Sequence, residues 1–455
     1  MTELRNVEAD VSRFKLRVIV VGLVVMLAFC LIVARLIVLQ VVRHDDLAEQ
    51  AESNRTAVVP IVPNRGLILD RNGVLLASNY SAYTLEITRA KVRNLDDTID
   101  ELGQIIEIGA RDRRKFKRLM EDSKSFESIP IRTRLTDEEV ARFAAQRYRF
   151  PGVDIKARLF RNYPLGETGA HLIGYIGRIN QRDKERIEDS DDAANYRGTD
   201  YIGKLGVEAS YEKVLHGTTG VEQMETSAGG HAVRRLASHP ATPGESIRLS
   251  IDIHLQKLVE DMYGERRGAL VAIDPQNGEV LAFVSKPTYD PNLFVEGIDQ
   301  ETWAELSESI NKPLLNRALR GTYPPGSTYK PFMALAALEL NKRSATQVIS
   351  DPGFYNYGGR TFRSHEGGLG GVDMHRAIQY SSNTYFYSLG VEIGVDAIHD
   401  FMKPLGFGQI TGIDLGGEVR GVLPSMEWKR NTYKRPAMKR WFPGETVSLG
   451  IGQGY

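Results

Sequence analysis

A single cysteine, Cys30, among 455 residues excludes two kinds of architecture. No intrachain disulfide can form, and no cysteine-based metal cluster can be assembled. An exported portion of this chain therefore does not rely on disulfides. Net charge is lacking too. The 58 basic residues balance 58 acidic ones, so nothing in the charge points to nucleic acid or an acidic polymer as partner. No repeat of fixed period is visible. What is present is size and apolar content. The length suits two or three domains, and 42% hydrophobic residues can fill a sizeable core.

From Val18 to Ala34 every residue is apolar or small, VIVVGLVVMLAFCLIVA. Arg35 interrupts, and Leu36–Leu39 and Val41–Val42 follow. The stretch is long enough to cross about 30 Å of hydrocarbon, with Arg17 and Arg35 reaching toward the interfaces. No polar face marks it as the core helix of a soluble protein. Arg5, Arg13, Lys15 and Arg17 precede it, whereas Arg43, His44, Asp45 and Asp46 follow. That asymmetry predicts a cytoplasmic N-terminus and an exported bulk. The run exceeds a usual signal core, and no small-x-small cleavage site follows closely. Phe29 stands where a lipoprotein box needs a small residue. The reading is an uncleaved anchor over residues 18–42, with residues 1–17 as a cytoplasmic tail.

The exported part begins with a hairpin signature. Arg65–Leu76 alternates apolar and polar residues around Arg71-Asn72-Gly73. Leu95, Ile99, Leu102, Ile105 and Ile106 then recur at helical spacing, as do Phe116, Leu119 and Met120. Thr136-Asp-Glu-Glu139 has the form of a capping box. The basic run Arg111–Lys117 reads as a solvated helix face. This outlines a helical insertion at about residues 91–150. Residues 151–240 return to strands and glycine turns, with His171 read as a hydrogen-bonded structural histidine. His239–Gly244 has linker composition. Ser246–Asp252 reads as a strand, Gln256–Met262 as a helix, and Gly268–Val284 as a strand–turn–strand hairpin around Pro275–Gly278.

Chemistry concentrates in Gly321-Thr-Tyr-Pro-Pro-Gly-Ser-Thr-Tyr-Lys330 and Ser381-Ser-Asn383. Pro324-Pro325-Gly326 turns the chain before Ser327, and Tyr329–Leu340 is rich in helix formers. Pro331 is tolerable in a first turn, where N–H groups lack intrahelical partners. Ser327 is therefore placed at a helix N-terminus, which favours negative charge. Lys330, three residues on, shares its face. A lysine at its ordinary pKa near 10.4 is no base, so burial or a second cation must lower it before it can take a serine proton. Spacing alone decides little: Ser12-Arg-Phe-Lys15 repeats the pattern beside the anchor. Ser381 and Asn383 sit between two helical stretches, 374–380 and 384–391. There Ser381 can relay a proton and Asn383 can hold Lys330 and a substrate amide. The plain alternative is that both merely cap the second helix.

Taken together, these motifs resemble the class B penicillin-binding proteins, most closely the rod-elongation members of Gram-negative bacteria. The resemblance spans the whole chain: tail, anchor, a pedestal opening at Arg65-Gly…Asp70-Arg-Asn-Gly73, the Ser327-x-x-Lys330 and Ser381-x-Asn383 motifs, Tyr385-Phe-Tyr387, and Gly450-Ile-Gly-Gln-Gly454. No glycosyltransferase module separates anchor from pedestal, which sets the bifunctional class A members aside. The implied fold is α+β: one transmembrane helix, a β-rich pedestal (43–240) with its helical head, and a serine β-lactamase-like transpeptidase domain (241–455). The implied activity is D,D-transpeptidation. Ser327 attacks the D-Ala-D-Ala carbonyl of a peptidoglycan stem peptide, with Lys330 as base. Ser381 passes the proton to the departing D-Ala, and a neighbouring stem's amine resolves the acyl-enzyme. β-Lactams acylate the same serine. The Ser327 N–H supplies half of an oxyanion hole.

The resemblance further implies contacts with a membrane-embedded glycan polymerase and a cell-shape scaffold protein, location in the bacterial inner membrane, and no cofactor. Some relatives hold a metal beside the second motif. Asp351, His365, Asp373 and His375 show no clear ligand spacing, so none is expected. One departure is large: the family's Lys-Thr-Gly strand and second oxyanion donor have no counterpart before Tyr455. The expectation is a C-terminally truncated domain, not competent at this length, with the 268–284 hairpin left with an open edge. A non-catalytic membrane-anchored scaffold is the alternative that this absence raises. The long pedestal argues against a β-lactamase or carboxypeptidase, and the short tail against a β-lactam sensor.

Overall fold

The computed structural model describes residues 7–45, 47, 56–121, 128–226, 232–365 and 367–455. Arg5 and Asp46, counted in the charge asymmetry, lie outside them. The chain opens with helix α1 (Val7–Ile37), which passes into a π-helical turn to Val42. Over Phe14–Val42 this segment is long and apolar enough to cross a membrane, and none of it is buried in protein.

Two compact units follow from the contacts. The first comprises residues up to Gly66, Asn180–Asp200 and His216–Glu245. Its sheet joins β1 (Thr56–Ile61) to a later hairpin, antiparallel throughout. The second unit comprises Leu67–Ile179, Tyr201–Leu215 and Ser246–Tyr455.

In the second unit, β2 (Ile68–Leu69) and β3 (Leu75–Thr88) form the expected hairpin. Gly73 takes φ +87°, where a side chain would be strained. Fully buried Asp70 closes the turn by accepting from Asn72 N and Val74 N, both at 2.8 Å. Its other oxygen accepts from Ile253 N at 3.2 Å, tying the hairpin to a helix far along the chain.

Helices α2 (Leu95–Leu102) and α3 (Ala110–Glu121), strand β4 (Ser128–Leu135) and helix α4 (Asp137–Gln146) make the head. The head is thus less purely helical than its spacing implied, because β4 pairs with β3. Thr136 and Glu139 form the reciprocal capping box. Strand β5 (Val153–Asn162) pairs with the other side of β3. Leu85, Ile87, Ile99, Leu102, Phe116, Ile129, Phe143 and Val153 pack into one core. Helical spacing marked Ile99, Leu102 and Phe116 of this core; Phe143 and Ile129 were not marked by it.

Residues 163–215 hold short helical turns as well as the expected strands β6 (Ile176–Arg178) and β7 (Tyr201–Gly203). His171 lies in one such turn, Ala170–Ile173. It packs edge-on to Tyr289 with ring centroids 5.1 Å apart, and its Nε2 lies 3.3 Å from the Pro287 carbonyl oxygen. Burial lowers its pKa from 6.5 to about 4. The folded protein therefore keeps His171 neutral while the unfolded chain takes up a proton below pH 6.5. Stability contributed by the neutral ring is complete above pH 6.5 and is lost as pH falls toward 4, by up to about 3 kcal/mol. His171→Gln should flatten this part of the curve in urea melts between pH 4 and 7. An unchanged slope would reject the assignment.

The first unit's sheet is completed by β8 (Gly220–Thr226) and β9 (Ala232–His239). Strand β10 (Ile247–Arg248) is shorter than the strand expected over 246–252. Past Arg248 the backbone bonds alternate between partners, Leu249 N to Leu69 O and Asp252 N to Leu281 O, so no regular ladder persists. The Asp252 side chain instead caps α5 (Ile253–Tyr263), accepting from His254 N and Leu255 N.

Strands β11 (Gly268–Ile273) and β12 (Val280–Lys286) form the second expected hairpin. Among the described residues they pair only with each other, and Val271 and Ile273 are exposed. Helix α6 (Lys330–Glu339), strands β13 (Ile349–Asp351), β14 (Phe354–Tyr357), β15 (Arg360–Arg363) and β16 (Gly370–Val372), and helices α7 (Met374–Gln379), α8 (Asn383–Ile393), α9 (Val395–Met402) and α10 (Pro443–Leu449) follow in the same unit, among further short helices. Met333, Ala337, Ala377, Tyr385, Phe386, Leu389, Ile398, Met402 and Val447 form its helical core.

Candidate active site

The Ser327 turn is set by its neighbours. Gly326 takes φ +57° and opens a 3₁₀ turn, Gly326–Tyr329, that runs into α6 with Pro331 in its first turn. Ser327 is exposed on this turn and Lys330, the first residue of α6, is 1% exposed. By contrast, the look-alike Ser12–Lys15 lies on α1 with Lys15 exposed.

Beneath the turn lies a segment whose glycines are needed for fit. Gly452 O accepts from Gly326 N at 3.0 Å. A Cβ on Gly452 would fall 2.5 Å from Gly326 O and 2.8 Å from the Tyr329 Cβ. A Cβ on Gly450 would meet the Phe386 carbonyl oxygen at 2.3 Å. The Gly450–Gly454 segment thus supports the nucleophile turn on one side and α8 on the other. The sequence showed the glycines but not what they touch.

The second motif spans the short link between α7 and α8. Ser381 adopts φ +55°, a left-handed conformation that costs a non-glycine residue about 1–3 kcal/mol. The cap of α8 is Ser382, whose Oγ accepts from Tyr385 N at 3.1 Å. Ser381 and Asn383 therefore have their side chains turned to other uses. Ser382 is fully buried, and its Oγ donates to Asp351 Oδ2 at 2.5 Å. Asp351 is 1% exposed and also accepts from Gly353 N at 2.8 Å. Sequence reading weighed Asp351 only as a metal ligand and gave Ser382 no role, since nothing local shows that the two side chains meet.

All four candidate side chains meet. Lys330 Nζ donates to the Ser381 carbonyl oxygen at 2.6 Å, to Ser381 Oγ at 3.0 Å and to Asn383 Oδ1 at 2.7 Å. Ser381 Oγ donates to Ser327 Oγ at 2.9 Å. Nζ also lies 5.6 Å from the Phe386 ring centroid, near enough for cation–π attraction. Burial pushes the phenols of Tyr329 and Tyr385 up, so both stay neutral. Three oxygens suit the three N–H groups of an ammonium. In a neutral amine one of these directions becomes a lone pair, which can face the Ser381 hydroxyl.

No group of three or more metal-ligating side chains is found among the described residues. Asp351 is engaged with Ser382 and Gly353, while Asp373 caps α7 through Arg376 N.

The sequence matches the Penicillin-binding Protein dimerisation domain over residues 60–249 and the Penicillin binding protein transpeptidase domain over 268–455. It is 40% identical over 454 residues to the peptidoglycan D,D-transpeptidase MrdA of Escherichia coli K12, covering 99% of this chain and 71% of that protein. Among solved structures it resembles Pseudomonas aeruginosa PBP2 in complex with WCK 5153, with TM-score 0.62, 38% identity, and coverage of 88% of this chain and 67% of that one. It also resembles PBP2 of Helicobacter pylori in complex with MreC, with TM-score 0.75, 28% identity, and coverage of 88% and 73%.

Proposed function

The chain belongs to the class B penicillin-binding proteins, the family of the peptidoglycan D,D-transpeptidase MrdA, and from that premise we propose that Ser327 is its acylated nucleophile and Lys330 its general base. The observation that carries this reading is the hydrogen-bonded chain from Ser327 Oγ through Ser381 Oγ to Lys330 Nζ, braced by Asn383. Its members come from separate segments, and no capping requirement accounts for their convergence.

In the resting arrangement the Ser381 hydroxyl donates to Ser327. With Lys330 neutral, that hydroxyl turns to donate to Nζ and accepts the Ser327 proton in exchange, so Ser381 offers a path between nucleophile and base. Ser327 Oγ then bonds to the carbonyl carbon of the penultimate D-Ala of a stem peptide. The C–N bond to the terminal D-Ala breaks, and the proton held at Lys330 returns through Ser381 to the departing amine. An amine of a neighbouring stem attacks the ester, forms the cross-link and frees Ser327. A β-lactam enters the same first step and leaves its opened ring on Ser327. The backbone N–H of Ser327 is assigned to the oxyanion site by family resemblance.

Intact-mass measurement of the full natural protein after exposure to benzylpenicillin tests this. One adduct is expected, and peptide mapping should place it on Ser327. A folded protein without an adduct, or with its adduct elsewhere, would sink the reading.

The apolar α1 and the family make this a single-pass membrane protein. We further propose a cytoplasmic N-terminus and a periplasmic bulk in the inner membrane, supported by the basic residues before α1 and checked by protease digestion of spheroplasts. The domain division proposed is a pedestal over 43–240 and a transpeptidase domain over 241–455. The pedestal is assigned contacts with a cell-shape scaffold protein and with a membrane-embedded glycan polymerase; that the Helicobacter pylori relative is solved in complex with MreC supports a protein partner for this family. Deleting residues 59–240 should lose both in pull-downs; retention of both would refute this role.

A further inference from the structure

The buried carboxyl of Asp351 has no part in the proton path just described. It sits at the end of β13, 1% exposed, with one oxygen on Gly353 N and the other on Ser382 Oγ. Ser382 in turn is the residue between Ser381 and Asn383, which together supply three oxygens to Lys330 Nζ.

The hydroxyl of Ser382 is fully committed. It donates its one hydrogen to Asp351 and accepts from Tyr385 N. The cap of α8 needs only the accepting half of this arrangement. The donating half therefore does something the helix does not require. It fixes the rotation of residue 382 immediately after Ser381, whose backbone is held at φ +55°. A relaxed link would let Ser381 leave the left-handed region. That would turn away its carbonyl oxygen and its Oγ, and with them the contact to Ser327 at 2.9 Å.

We propose that Asp351 is a positioning residue for the acylation step: through Ser382 it holds the strained Ser381 link in the geometry that presents Ser381 O, Ser381 Oγ and Asn383 Oδ1 to Lys330. This rests on the reading of Ser327 and Lys330 as nucleophile and base. It acts on proton transfer and leaves binding alone, since neither Asp351 nor Ser382 is open to solvent or to a ligand.

The experiment is saturation kinetics of acylation by a fluorescent penicillin on the full natural protein. It gives the limiting rate constant and the half-saturating concentration separately. Asp351→Ala should lower the limiting rate about 30-fold, equivalent to about 2 kcal/mol in the barrier, with half-saturation within about twofold. Asp351→Asn keeps an oxygen that accepts from Ser382 and should recover most of the loss. Ser382→Ala should slow acylation similarly, and the double variant should be no slower than either single one. A merely structural role would instead lower the thermal midpoint while folded Asp351→Ala acylated at the unmodified rate; that result overturns the proposal. If Asp351→Ala does not fold, Ser382→Ala decides, and an unmodified limiting rate there overturns it equally. If the unmodified protein is not acylated at Ser327 at all, the nucleophile reading falls and this inference with it.

Discussion

Alanine at position 327 is expected to abolish covalent labelling by penicillin, and methionine at position 330 to slow it about a thousandfold, within the range that general-base catalysis supplies. The two effects differ in kind. Ser327→Ala removes the atom that forms the ester, so no adduct is possible at any time. Ser327 is exposed on its turn, so the fold should survive and the thermal midpoint should hardly move. Lys330→Met nearly conserves shape but removes Nζ, and with it the proton acceptor and the cation over the Phe386 ring. The Ser381 carbonyl oxygen and Asn383 Oδ1 lose the donor that joins them. Residual labelling should appear on Ser327, slowly, because the turn and the Ser327 N–H assigned to the oxyanion site remain. A double variant should behave as Ser327→Ala alone, since base and nucleophile act as one unit. Gel fluorescence against time reads all three. Labelling of Lys330→Met at the unmodified rate would remove lysine from the mechanism.

The site was legible to the extent that its signals are local. Ser327 and Lys330 are three residues apart, and a Pro-Pro-Gly turn before a helix places them together without knowledge of the rest of the fold. Gly73 in its hairpin turn, and Thr136 with Glu139 in their capping box, were readable for the same reason. What stayed hidden depends on contacts between segments. Nothing in Ile349-Ser-Asp351 announces that its carboxyl will meet Ser382. The glycines of Gly450–Gly454 are visible, but the clash each avoids is with Gly326, Tyr329 or Phe386 in distant segments. The left-handed Ser381 is against propensity, and only the surrounding structure explains it. Strand β4 was missed because its alternation is short and flanked by helices, so its pairing with β3 decides its conformation.

Arg161→Met is expected to cost about 3–5 kcal/mol of unfolding free energy, the effect of breaking a buried ion pair from one side. Arg161 on β5 and Glu208 in the helical turn Gly206–Ser210 have side chains 1% and 0% exposed. Arg161 Nε donates to Glu208 Oε1 at 2.7 Å, and its Nη1 to Asn79 Oδ1 at 3.0 Å. Tyr163 OH donates to the same Glu208 oxygen at 3.2 Å and accepts from Ile176 N at 2.9 Å. Losing the guanidinium leaves the carboxylate in an apolar setting with neutral donors, which cannot replace a cation. The exposed pair Arg71–Glu279, at 3.3 Å with side chains 39% and 43% exposed, provides the contrast. There Arg71→Met should cost less than about 1 kcal/mol, because water already solvates both ions. Removing both members of the buried pair, as Arg161→Met with Glu208→Leu, should recover a large part of the loss, since the penalty lies in the stranded charge more than in the missing attraction. Urea unfolding of the three variants beside the unmodified protein separates these cases. If the double variant is as unstable as Arg161→Met alone, the pair holds β5 and the Gly206–Ser210 turn together by its hydrogen-bond geometry, and the stranded-charge explanation is wrong.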